Sequence, residues 1–272
     1  MFKVIKESFK LTNENIIIAT PLILFSLIST LYLIFSSGGN KIGLLFSVIL
    51  FFLMLGAFLS GWFYMIARVI KNPDNNGNKL ITEFPSGVGE YFVVTLVMIF
   101  KILLISAIII IIAFLAGKKF IGGIGIPYSQ LSSSISNVED MKALIDSMSR
   151  EQLIKINAWN LLIFFSMLFN YFILLFYPAV IFFKRKNPFI AFWISLKDTF
   201  GRKFFKNVGL FLLIMILYMI ISSLMALFGK NMFIHFTLTL INFYYATFVG
   251  ILVFNYYYTN FAKIGSAIDT RV

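Results

Sequence analysis

The sequence predicts an all-α fold: a polytopic membrane helix bundle of six transmembrane helices with interfacial amphipathic helices and a weak parallel internal repeat. Three observations support it. Six apolar runs each reach the ~20 residues that a helix needs to cross a bilayer. Charged residues make up 12% of the chain, against about 25% in soluble domains, and they gather between the runs. Landmarks also recur: Lys71-Asn72-Pro73 and Lys186-Asn187-Pro188 each follow an apolar run, Gly89 and Gly201 lie 112 residues apart, and so do Gly117 and Gly229. The repeat unit reads as spanning helix, basic stop, interfacial segment, spanning helix. Residues 1–272 form one integral membrane domain on this reading.

Residues 1–12 place Phe2, Ile5 and Phe9 on one helical face, with Lys3, Lys6 and Lys10 among the polar positions, as in a short interfacial helix. The first span is 16–35. A secretory signal is the competing reading, but its apolar region runs to only about 7–15 residues, so this run is expected to be a retained span. A Gly-rich turn over 36–41 leads to the second span, 42–67. Its small-residue pairs Gly56/Ser60 and Ala57/Gly61 let helix backbones approach closely, and packing inside the chain is expected over homodimerisation.

Residues 71–90 are turn-rich (NPDNNGN), then weakly amphipathic. The third span, 91–116, contains Lys101, the one basic residue well inside an apolar run. A mid-bilayer lysine costs about 2.5–3.5 kcal/mol. Snorkelling of the long side chain to the cytoplasmic interface is the first reading, and a functional ion pair is the second. The connection 117–156 begins with a flexible Gly-rich stretch. Asn137 is a plausible N-cap for a surface helix with Met141, Leu144, Ile145 and Met148 on one face. Ser149-Arg150-Glu151-Gln152 reads as a capping box opening the fourth span, 156–183. Asn160 and Asn170 lie in that span, and Pro178 is expected to kink it.

After Phe183 come Lys184, Arg185 and Lys186, then the helix-breaking Asn187-Pro188. Phe189, Phe192, Trp193, Leu196, Phe200 and Phe204 share one face of the next segment, while Lys197, Asp198, Arg202 and Lys206 lie mostly opposite. That profile is an amphipathic helix in a membrane interface. The fifth and sixth spans are 207–228 and 233–260, separated by a turn at Lys230-Asn231. Tyr256, Tyr257 and Tyr258 fit an interfacial aromatic belt.

Fifteen Lys and Arg fall on one side of this layout and seven on the other. The positive-inside rule then places both termini in the cytoplasm of a multi-pass cell-membrane protein. The net charge of +12 would point to nucleic acid in a soluble protein. Here the cations flank spans, so membrane lipids are the expected partners and nucleic acid is not. Cysteine is absent and His235 is the single histidine, which leaves no thiol chemistry and no multi-histidine metal site. No cofactor and no enzymatic activity are expected. The candidate lipid-headgroup residues are Lys184, Arg185, Lys186, Arg202, Lys203 and Lys206. A candidate intramembrane polar site comprises Lys101, Asn160 and Asn170, which a transporter or permease subunit would use.

Residues 177–213, an apolar helix with proline, a basic break, Ala191-x-x-x-Ser195 and a basic/aromatic re-entry, resemble the membrane domain that accompanies some bacterial glycerophosphodiester phosphodiesterases. The resemblance covers the fourth to sixth spans and extends to related six-span proteins. It implies a membrane-embedded module. It brings no catalysis, because that family's active site belongs to a separate soluble barrel and no stretch here reads as one.

Overall fold

The structure, a computed structural model, describes residues 1–36, 41–73, 77–125, 138–184, 186–228 and 231–262. The described residues are all-helical. They form α1 (Phe2–Glu14), a 3-10 turn (Ile16–Ile18), α2 (Ala19–Ser36), α3 (Lys41–Lys71), α4 (Gly77–Phe120), α5 (Val138–Ser147), α6 (Arg150–Leu174), α7 (Tyr177–Phe183), α8 (Pro188–Phe200), α9 (Phe204–Phe228) and α10 (Met232–Tyr257), which ends in a π turn at Tyr258–Ala262. Among them, six helical segments are long and apolar enough to cross a membrane: Ile16–Ile34, Leu45–Lys71, Leu80–Phe120, Arg150–Phe183, Phe204–Phe228 and Met232–Ala262. The chain is a multi-pass membrane protein. Residues 37–40 of the first turn, Asn137 and the Gly229-Lys230 pair lie outside the described residues.

The third span differs most from expectation. Residues 77–90 continue it as helix, so α4 is 44 residues long, about 66 Å at 1.5 Å per residue. That exceeds a hydrocarbon core of ~30 Å, so α4 extends well past it. Local turn signals lose here because Glu83 reaches Arg68 (3.5 Å) and Phe84 packs on Gly61, both from α3. The two halves of the proposed repeat are therefore built differently. Gly89 lies inside α4, whereas Gly201 ends α8. A Cβ at Gly201 would stand 2.6 Å from the Lys197 carbonyl oxygen, so the chain can fold back there only without a side chain.

By compactness the chain divides into two units. The first comprises Met1–Lys101 and Phe172–Val272. Its core is lined by Trp62, Met65 and Ile66 of α3, by nearly all of α7, and by Ile251, Leu252, Phe254, Tyr256 and Tyr257 of α10. The break before α7, at Leu175 and Phe176, has a clear cause: Pro178, at the second position of α7, has no N–H to offer the Leu174 carbonyl. Rings tie α7 to its neighbours. Phe182 meets Phe63, Tyr91 and Phe254 with centroids 5.8, 4.4 and 6.2 Å away. Gly56 of α3 lies against Leu96 of α4, so the small residues of α3 do pack inside the chain.

The second unit is Ile102–Tyr171. The capping box forms as expected, with the Ser149 N–H donating to Gln152 Oε1 (2.9 Å) and the Gln152 N–H to Ser149 Oγ (3.2 Å). α4 ends later than expected, where Gly122 at φ 79° sends its N–H back to the Gly117 carbonyl. Gly117 lies under the ring of Trp159, whose indole N–H donates to the Gly122 carbonyl at 3.1 Å.

Candidate functional site

The site grows from the junction between α7 and α8. Asn187 caps α8, its side-chain oxygen accepting from the N–H groups of Phe189 (2.9 Å) and Ile190 (3.3 Å). Pro188 takes the first helical position, where a missing N–H costs nothing. The helix so started is amphipathic, with an unexpected division of labour. Its buried face is Pro188, Ala191, Phe192, Ser195 and Thr199. Phe189, Ile190 and Phe200 face outward, as does Trp193 at 69% exposure. The hydroxyl residues dock on the protein, and most of the aromatic side chains are left for the surroundings. α1 follows the same rule. It buries Val4, Ser8, Leu11 and Thr12, while Phe2 and Phe9 are exposed. It docks on α10 through Asn255 Nδ2 to Ser8 Oγ (3.1 Å) and Tyr244 Oη to Asn13 Oδ1 (2.6 Å).

Polar bonds lock α8 in place. Asp198 accepts from Tyr257 Oη at 2.7 Å and Lys184 Nζ at 3.3 Å. The last carbonyls of a helix have no partner within it. Asn207 of α9 supplies one, its Nδ2 donating to the carbonyls of Asp198 (3.0 Å) and Thr199 (2.9 Å) while its Oδ1 accepts from Tyr256 Oη (3.0 Å). Tyr256 and Tyr257 are thus buried polar anchors rather than members of an aromatic belt, which corrects the sequence expectation.

The six candidate headgroup residues separate accordingly. Lys184 is bound to Asp198 and stands 5.2 Å from the Tyr257 ring centroid. Lys186 pairs with Glu90 and lies 4.9 Å from the Tyr91 ring centroid. Its hydrogen bond to Glu90 raises its pKa above the ordinary lysine value. Lys203 donates to the backbone and side-chain oxygens of Asn260 at 3.0 and 2.9 Å. Burial, then the neighbouring Lys206 charge, pushes its pKa down. Arg185 lies outside the described residues. Arg202 and Lys206 are exposed and make no hydrogen bond or ion pair among the described residues. Lys197, absent from the candidate set although it shares the helix, is equally exposed and unpaired among them. Beside these cations Phe205 is 87% exposed.

The three polar candidates from the spans have separate settings. Lys101, in the first unit, points its Nζ to the Phe189 carbonyl (3.4 Å) and stands 4.6 Å from the ring centroids of Phe189 and Phe192. No carboxylate pairs with it among the described residues. Asn170, in the second unit, donates to Ser106 Oγ at 2.8 Å, and its Oδ1 is buried without a partner among the described residues. Asn160, also in the second unit, is exposed. Cation–ring contacts are worth about 0.5–2 kcal/mol. Lys101→Met loses that and gains relief from burying an ammonium, so it is expected to express normally and shift stability by less than ~1.5 kcal/mol. Thermal unfolding in detergent checks this; a collapse of folded yield would show that Lys101 is needed for packing.

Among the described residues no group of three or more His, Cys, Asp or Glu could hold a metal ion. No family model, curated protein or solved structure matches the chain.

Proposed function

We propose that the protein is a non-enzymatic component of the cell membrane, with both termini in the cytoplasm, that engages anionic phospholipid through α8 and the α8–α9 junction. One observation supports this most: α8 turns Phe189, Trp193 and Phe200 outward beside three cations that are unpaired among the described residues, Lys197, Arg202 and Lys206. An apolar face to enter the acyl boundary and cations to meet phosphate act together in interfacial lipid binding. Lys184, Lys186 and Lys203 are instead engaged within the protein, by Asp198, Glu90 and Asn260, so the recognition surface is smaller than the whole basic cluster.

Each such cation contributes about 1 kcal/mol near an anionic leaflet, and 1.4 kcal/mol is tenfold in affinity. Full-length protein in vesicles of brominated phosphatidylglycerol or brominated phosphatidylcholine tests this. Quenching of Trp193, read as the difference from a Trp193→Phe protein, is expected to be stronger with the anionic lipid and to weaken in high salt. The triple change Lys197→Gln, Arg202→Gln, Lys206→Gln should reduce that preference by roughly tenfold or more. Equal quenching by both lipids would leave these charges as determinants of orientation only.

A transporter with a polar site at Lys101, Asn160 and Asn170 draws less support. Lys101 is engaged by two rings and a carbonyl, Asn170 by Ser106, and Asn160 is exposed.

A further inference from the structure

A cavity of about 490 Å³ opens within the first unit, between α2, α3 and the first turns of α4. Leu24 and Ile28 form one wall, Ile81 and Pro85 the other, and Ala57 and Phe58 the floor. Leu24, Ile28 and Ile81 are each about half exposed (52%, 51% and 43%), so the walls stand open to the surroundings. The volume falls in the range of sites for small molecules and cofactors. Among the described residues that line it, the one side-chain polar group is the Thr20 hydroxyl.

Position identifies the occupant. α2 and α3 are spanning helices, and at their depth the surrounding medium is hydrocarbon. From Thr20 to Ile28 the groove runs eight residues, about 12 Å along α2. One leaflet contributes about 15 Å of hydrocarbon. The groove thus follows a single leaflet along most of its thickness. Its Thr20 end follows the 3-10 turn after α1, and Ile81 lies two residues before Glu83, the partner of Arg68 near the basic end of α3, so it opens toward the basic end of the unit.

We infer that this groove is a binding site for one acyl chain of a phospholipid drawn from the leaflet at the basic end. The concave walls hold the chain on three sides, where a convex helix surface touches it on one. Such a lipid stays with the protein when bulk lipid is removed. This site is separate from the α8 surface and does not depend on it.

The full chain, reconstituted with phosphatidylethanolamine and phosphatidylglycerol and then extracted into a mild detergent, is released intact in a mass spectrometer. Wild-type protein is expected to retain one phospholipid. Ala57→Phe, which fills the floor, should lower that occupancy at least tenfold, whereas Leu212→Phe, at an exposed position of α9, should leave it unchanged. If Ala57→Phe does not give monodisperse protein, Ile28→Trp closes the groove from its rim and is read in the same way. The triple Lys197, Arg202, Lys206 neutralisation should not change occupancy, which separates this result from the headgroup proposal. Absence of lipid on the wild type, equal occupancy after filling the groove, or release as a lipid-free dimer would overturn the inference.

Discussion

Asn207→Leu is expected to destabilise the protein by about 3 kcal/mol. Asn207 is fully buried and joins three groups, the carbonyls of Asp198 and Thr199 and the hydroxyl of Tyr256. Leucine matches its size but leaves all three without a partner. An orphaned buried polar group costs about 1–3 kcal/mol. The Asp198 carbonyl bond is the least buried of the three, which holds the sum near the lower end. Tyr256→Phe removes one bond and should cost about 1 kcal/mol on its own. In the double variant that loss should largely vanish, because the two side chains share the bond. Unfolding of the detergent-solubilised protein measures all three, and a loss below ~0.5 kcal/mol for Asn207→Leu would refute the clamp.

Two glycines of α4, two residues apart, should respond to alanine with opposite signs. A Cβ at Gly87 would stand 2.5 Å from Tyr64 Cβ and 3.0 Å from Gly61 Cα, atoms that cannot swing aside, so α3 and α4 must separate. Overpacking of this kind costs about 1–3 kcal/mol, more than the ~1 kcal/mol that alanine gains over glycine in a helix. Gly87→Ala should therefore destabilise, and Gly87→Val more so, by about 3 kcal/mol. A Cβ at Gly89 meets nothing within 4 Å, so Gly89→Ala should keep the helix gain of up to ~1 kcal/mol. The same unfolding measurement decides, and equal signs would show that the α3–α4 approach is looser than described.

The spans were legible because apolar length is a local property, and so was the capping box of Ser149 and Gln152, whose partners lie three residues apart. The docking faces of α1 and α8 were not. Ser8, Thr12, Ser195 and Thr199 follow the helical period as a polar face would, and only tertiary structure shows that this face turns inward. The candidate site was legible as a set of charges. Which of them are occupied was not, since Glu90 lies 96 residues before Lys186 and Asn260 lies 57 after Lys203. Tyr256 and Tyr257 misled for the same reason: tyrosines at the end of a span look alike whether they face headgroups or distant side chains such as Asn207 and Asp198.

The docking of α1 on α10 sets an order of events during synthesis. Ser8 and Asn255 are 247 residues apart, so α1 leaves the ribosome long before its seat exists. At about 5–20 residues per second the wait is roughly 12–50 s. Secondary structure forms within microseconds, so for nearly all of that interval α1 is a finished helix without a protein partner. Phe2 and Phe9, exposed even after docking, give it a resting place on the bilayer surface meanwhile. The outward aromatics of this helix are thus apolar surface that α1 carries from the start, whereas its inward face waits for the arrival of α10.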